Sequence, residues 1–207
     1  MVHFGEELVF TNQEGDRLND ETTGKPALVL MAGLPGAGKS TLARAIGSTF
    51  GWPVIDKDVI VSSLLDGGID EPVAQPASYA AMFALGLDFL MSQRWSVILD
   101  NPAGRPLSTS EAQRIADTAG ATLVCILCLA DRDTRNARVA DRSALRSQPV
   151  CVSQTTGDGR ERFAHLPADT IAVDMTQPLH KALREVVQRL TTILRQSRRA
   201  YPHRYSS

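Results

Sequence analysis

The sequence has no run of about twenty apolar residues, so none of its 207 residues belongs to a segment long enough to cross a bilayer as a helix. The first ten, MVHFGEELVF, lack the basic region and apolar stretch of a signal peptide, and a cytoplasmic protein is expected. Cysteine is scarce. Three of them, an odd number, argue against a disulfide framework. Cys125 and Cys128 have the C-x-x-C spacing of redox pairs, but they fall in the apolar run Thr122–Leu129. Residues three apart on a strand point to opposite faces, and a redox pair needs a solvent-accessible helix N-terminus, so both are expected in the core. The four histidines (His3, His165, His180, His203) are scattered, without the spacing of a metal site or a catalytic triad. An excess of one charge is also missing. With 22 basic and 23 acidic residues the net charge is −1, so no global field draws in a nucleic-acid backbone. No internal repeat is visible and there is no second core.

What is present suits one soluble domain: 43% apolar and 22% charged residues, with length enough for a full core. Its most specific stretch is residues 27–42, ALVLMAGLPGAGKSTL. An apolar run, Ala27–Ala32, reads as a buried strand, and residues 41–50 carry a helical pattern. Between them Gly33, Leu34, Pro35, Gly36, Ala37, Gly38, Lys39 and Ser40 fit G-x-x-x-x-G-K-[ST] without a mismatch, followed by Thr41. The glycines let consecutive amides face one concavity, and the helix adds the positive end of its dipole. Lys39 offers a cation to the outer phosphates, and Ser40 a hydroxyl ligand to Mg²⁺. A nucleoside triphosphate site is expected here.

Four further strands are expected at 54–55, 96–99, 122–129 and 169–174. Helices are expected at 59–65, at 78–94 after a loop over 70–75, and from a capping box at Ser108-Thr109-Ser110-Glu111 to Ala119. An arginine-rich helix over 131–146 and a last helix opened by Pro178 complete the set. Residues 1–24 read as a peripheral extension and 198–207 as a basic tail, leaving 25–197 as the domain. Strands alternating with helices give an α/β fold: an open five-stranded parallel sheet between helical layers, in which ligands bind beyond the carboxyl ends of the strands.

Every candidate residue lies at such an end. Asp56 and Asp58 follow the second strand, where spacing of two turns both carboxylates toward one cleft; either could instead cap the next helix. Asp58 is assigned as the base for an acceptor hydroxyl and Asp56 to the metal's water shell. Asp100 ends the third strand as a Mg²⁺-holding carboxylate, and Asn101 stands where a motor ATPase would place a water-activating Glu. Asn101 and Arg105 are candidate substrate contacts; a turn and a solvated charge are the plainer alternatives. Arg132, Arg135, Arg138 and Arg142 lie three or four apart and can share a face as a lid over the phosphates, with Arg138 and Arg142 first. The interleaved Asp131, Asp133 and Asp141 also allow a salt-bridged surface helix.

GLPGAGKST, VIDKDVI, VILDN, RNARVADR and AVDMTQPL together resemble the small P-loop kinases, in layout most of all the zeta toxins, the 5′-kinase of polynucleotide kinase and chloramphenicol phosphotransferase. The resemblance covers residues 27–190. It implies a P-loop three-layer sandwich with sheet order 2-3-1-4-5. It also implies an Asp58 that prepares the substrate hydroxyl, lid arginines at Arg138 and Arg142 with Arg135 beside the nucleotide, and an adenine site near Thr176, Gln177 and Pro178. The expected activity is an ATP- and Mg²⁺-dependent kinase acting on a hydroxyl of a small molecule such as an antibiotic, nucleoside or sugar. A polynucleotide 5′-kinase is the runner-up, and a nucleotide-binding regulator the alternative of another class. No N-K-x-D guanine-reading motif is present.

Overall fold

The computed structural model describes residues 25–141 and 158–200. Arg142, the extension 1–24 and the tail beyond 200 lie outside the described residues. Five strands, β1 (Ala27–Ala32), β2 (Val54–Asp56), β3 (Val97–Asp100), β4 (Thr122–Leu129) and β5 (Ile171–Asp174), form one sheet in the order β2-β3-β1-β4-β5. Every pairing is parallel. β1 is buried at all six positions, as the central strand of a sheet covered on both faces must be. The helices are α1 (Lys39–Phe50), α2 (Lys57–Asp66), α3 (Glu71–Ser92), α4 (Pro106–Ala119), α5 (Arg132–Asp141) and α6 (Leu179–Ala200).

Alternation along the strands divides the core in two. Val29, Met31, Ile126 and Val173 face α1 and α6, meeting Leu42, Ile46, Val186 and Leu190. Leu28, Leu30, Leu99 and Leu127 face the other way, onto Met82 and Phe83 of α3 and Ile115 of α4. Cys128 belongs to the first layer and Cys125 to the second, so the C-x-x-C spacing forms no pair. Burial pushes both thiols up to about 12, which keeps them protonated and unreactive. Among the described residues no helix is long and apolar enough to cross a membrane.

Three helix starts differ from the sequence expectation, and one of them, α2, begins at Lys57 in place of residue 59. The segment 70–75, expected as a loop, is the first turn of α3: Asp70 stands at the N-cap and its carbonyl accepts from the Val73 and Ala74 amides. Pro72 falls in the first turn, where a missing N–H costs nothing, and Pro76, in the second, has no N–H to donate to the carbonyl four residues back. Helix α4 starts at Pro106, two residues before the expected capping box. Ser108 is buried within its first turn, and Glu111 bonds Arg114 in place of reaching back to the cap.

Gly47 shows how tightly the first layer is packed. A Cβ there would stand 2.8 Å from Val54 Cγ2 and 2.9 Å from the Trp52 carbonyl oxygen. Gly→Ala inside a helix ordinarily gains about 0.5–1 kcal/mol. Here Gly47→Ala is expected to lose about 1–3 kcal/mol through overpacking, read as a lowered midpoint in urea unfolding.

Candidate functional site

The carboxyl end of β1 passes directly into the glycine loop. Gly33 has φ +140°, and a Cβ on it would stand 2.5 Å from the Cys128 carbonyl oxygen. Gly36, at φ +79°, lies equally close to the carbonyl oxygen of Arg135. The loop can therefore curl only with bare backbone at both points, pressed between β4 and α5. The Ala37 amide bonds the Leu34 carbonyl, and the Gly33 amide bonds Pro102 in the loop after β3. Gly38 occupies the N-cap of α1 without a side-chain cap, so the first amides of that helix are left for an anion. Lys39 Nζ turns back to the Leu34 carbonyl at 3.2 Å, over the same concavity. Ser40 is half-buried and Thr41 exposed.

Beside the loop the sheet brings carboxylates together. Asp56 and Asp100 are register partners at the ends of β2 and β3, and Met31 of β1 pairs with Asp100 on the other side. Asp100 is only 3% exposed. Burial raises its pKa above the ordinary carboxylate value; Lys39 and a hydrogen bond from Ser40 pull it down, and Asp56 and Asp58 push it up again. Asp56 is raised too, first by burial. One oxygen of Asp56 caps α2 by accepting from the Asp58 amide at 2.9 Å, and the other meets Arg44 at 3.2 Å. The cap role thus falls to Asp56. Asp58 sits inside the first turn of α2, not on a strand, so the period-two argument that paired them does not hold. Both nonetheless act electrostatically on Asp100.

Lys57, between them, was given no role by the sequence. It is buried, bonds Asp58 at 2.9 Å and Gln75 Oε1 at 3.2 Å, and lies 5.4 Å above the Tyr79 ring. Its only signal in the sequence was a lysine flanked by two aspartates. Gln75 and Tyr79 line a cavity of about 990 Å³ between α3, α4 and the loop after β3. Arg105 lines this cavity, whereas Asn101 is 2% exposed and turns inward. Its Oδ1 accepts from the Ala103 amide, holding a turn in which Ala103 has φ +44°, and Nδ2 faces Met82 Sδ at 3.8 Å. The structure gives Asn101 the turn role in place of the expected substrate contact.

The arginines of α5 do not share one face. Asp131 caps the helix through Thr134, and Arg132 is exposed beside Asp133. Arg135, expected at the nucleotide, is closed off from solvent: its Nε bonds the Ala130 carbonyl and its backbone backs Gly36. Arg138 reaches the phosphate loop. Its Nη2 donates to the Met175 carbonyl at 2.6 Å, while Nη1 lies 3.5 Å from the place a Gly38 Cβ would take. The loop after β5, holding Thr176, Gln177 and Pro178, follows Met175 directly, with Asp174 capping Thr176.

At the loop the buried atoms Asp100 Oδ2 and Arg138 Nη1 have no hydrogen-bond partner among the described residues. Orphans of this kind carry a desolvation penalty that a ligand can relieve. One wants a cation or donor and the other an anion, which fits a metal-bound phosphate lying along the loop. Among the described residues no three acidic, histidine or cysteine side chains gather closely enough to hold a metal ion. The donor set of Ser40 and Asp100 suits Mg²⁺, which keeps waters and phosphate oxygens in most of its coordination sphere. Asp56 is committed to Arg44 and the α2 cap. The linkage sign for Asp100 follows from its raised pKa. In the ligand-free protein the buried charge destabilises the fold at neutral pH, and this cost disappears as pH falls through the raised value. Asp100→Asn is therefore expected to hold or raise the melting temperature of the ligand-free protein at pH 7 while removing the increase that Mg²⁺-ATP gives the parent.

The fold is shared with known proteins. A structure from Chloroflexus aurantiacus is 21% identical with a TM-score of 0.61, covering 82% of this chain and 98% of that one. A gluconokinase from Sinorhizobium meliloti (TM-score 0.58, 19% identical, 86% and 98% covered) has the same fold. So does the Mycobacterium tuberculosis APS kinase CysC in complex with AMPPNP and APS (0.52, 14%, 81% and 98%). In sequence, the uncharacterized protein Rv2004c of Mycobacterium tuberculosis is 32% identical over 127 residues, which are 56% of this chain. The chain spans about a quarter of the length of that relative, 26%. The family model described as the AAA domain matches residues 28–167, from β1 through the phosphate loop to the segment before β5, and the chain belongs to that P-loop family.

Proposed function

We propose that the protein transfers the γ-phosphoryl group of ATP to a hydroxyl of a small molecule. The observation that carries this reading is the position of Asp58. On one side it acts on Asp100 at the phosphate loop, and on the other it is joined through Lys57 to Gln75 and Tyr79 in the wall of the large cavity. A carboxylate between a triphosphate cradle and a cavity is placed to serve an acceptor other than water. The structural neighbours support the class: one is described as a gluconokinase and another as a sugar kinase from Janibacter.

In this reading the loop amides and Lys39 hold the β- and γ-phosphates. Ser40 and Asp100 would hold Mg²⁺, with Asp56 at its water shell; when bound, the ion neutralises charge building on the phosphate oxygens. Asp58 orients the acceptor and takes its proton as the oxygen–phosphorus bond forms. The bridging bond to the β-phosphate breaks, and the products are ADP and a phosphate monoester. Arg138 stabilises charge spread over the transferring group, and Arg142 is proposed for the same lid. Gln177 and Pro178 are proposed beside the adenine, next to the Met175 carbonyl that Arg138 holds.

Incubation with ATP, Mg²⁺ and a panel of hydroxylated metabolites, antibiotics and a 5′-hydroxyl oligonucleotide, followed by mass spectrometry, tests the class directly. Phosphate on a small molecule supports it; phosphate only on the oligonucleotide, or on water alone, overturns it. Asp58→Asn is expected to lower turnover by about 10²–10⁴ with ATP affinity little changed. Lys39→Ala is expected to weaken ATP binding and abolish transfer, and a much larger loss in Asp56→Asn than in Asp58→Asn would exchange their roles.

A further inference from the structure

The cavity beside Asp58 carries more information than its size. Its floor is apolar, with Tyr79, Phe83 and Leu87 on α3 facing Leu107 on α4. Three arginines also line it, Arg105, Arg114 and Arg162, against two acids, Glu71 and Glu111. Arg114 is neutralised by Glu111 through two bonds of 2.9 and 2.7 Å. Glu71 is engaged by Gln75 at the Lys57 end. Arg105 and Arg162 make no side-chain hydrogen bond or ion pair among the described residues.

These two cations come from distant parts of the chain and are brought together by specific contacts. Arg105 takes the N-cap position of α4 at the end of the loop after β3. Arg162 stands on a short 3₁₀ turn, Arg160–Phe163, anchored by the buried Phe163. The Arg162 Nε lies 3.7 Å from where a Gly104 Cβ would be, against the backbone beside Arg105. His165 Nε2 lies at hydrogen-bond distance, 3.1 Å, from the Ala103 carbonyl, fastening the two segments. Two cations that line one cavity, neither with an ion-pair partner among the described residues, favour an anion bound there.

We propose that the acceptor is an alcohol bearing an oxyanion, a carboxylate or a phosphate, on an apolar or aromatic body. Arg105 and Arg162 bind the oxyanion at the cavity's edge, the body lies over Tyr79 and Phe83, and the hydroxyl is presented at Asp58. The inference rests on the kinase reading for the fate of the hydroxyl, but the anion site itself does not need transfer to occur.

The test measures binding and transfer separately on the full chain. Calorimetric titration uses mandelate, para-(hydroxymethyl)benzoate and para-(hydroxymethyl)phenyl phosphate, each beside its methyl ester or uncharged parent alcohol. The charged members should bind tighter, and the carboxylate and phosphate arms identify the oxyanion. Arg105→Ala and Arg162→Ala should each weaken the charged probe by about ten- to a hundred-fold, as loss of a charge-assisted contact does. ATP affinity should be unchanged in both, which also shows that they fold. Arg105→Lys should recover part of the loss. Binding of neutral and charged members alike, no binding of any charged member, or charged-probe affinity unaltered in both alanine variants overturns the proposal. Arginine-dependent binding without phosphate transfer to any probe or panel acceptor would overturn the kinase reading and leave the anion site standing. Transfer to neutral alcohols at equal KM would do the reverse.

Discussion

The contact on which the site depends is between bare backbones. At Gly33 the glycine loop meets the carbonyl of Cys128 on β4, and at Gly36 it meets the carbonyl of Arg135 on α5, each at a distance no Cβ could occupy. Such contacts leave little freedom. They fix the concavity's curvature from the sheet side and from the helix side together, before any ligand arrives. They also explain the burial of Arg135: the residue that backs the loop must be locked, its Nε is held by the Ala130 carbonyl, and the next inward arginine, Arg138, is the one that reaches the loop.

A second constraint is electrostatic. Parallel register sets Asp56 and Asp100 side by side, and α2 brings Asp58 close to both. Three acids in one corner are tolerable because each has a different answer: Asp56 takes Arg44 and a helix cap, Asp58 takes Lys57, and Asp100 takes Ser40 and the field of Lys39. Of the three, Asp100 is the one with a buried oxygen that has no hydrogen-bond partner among the described residues. The partners separate three chemically identical side chains into distinct roles, which is how environment divides labour among like residues.

Much of this was legible in the sequence where local pattern and global fold agree. The five apolar runs are the five strands, and the phosphate loop sits between strand and helix as its motif demands. The opposite facing of Cys125 and Cys128 followed from strand periodicity alone. The failures have physical causes. The start of α3 was hidden by Pro72 and Pro76, whose harm depends on their place within the first two turns. Ser108 and Glu111 had the spacing of a capping box, but Pro106 had already begun the helix. Asp58 was expected to follow the strand in line with Asp56 because nothing local marks that the next helix begins at Lys57. Lys57, Gln75 and Tyr79 meet across eighteen or more residues of chain, and no local rule predicts that contact.

The division of the core into two layers has an evolutionary consequence. The triphosphate cradle is built from β1, α1 and the segments following β4 and β5, whereas the large cavity is built from α3, α4 and the 3₁₀ turn. The two halves meet at the Asp58–Lys57–Gln75 link and at Pro102, whose carbonyl accepts from the Gly33 amide. Substitutions in α3 and α4 can therefore reshape what the cavity admits while the donor machinery stays intact. A scaffold arranged this way can diversify one half at a time, the phosphate loop staying fixed while the cavity beside it changes.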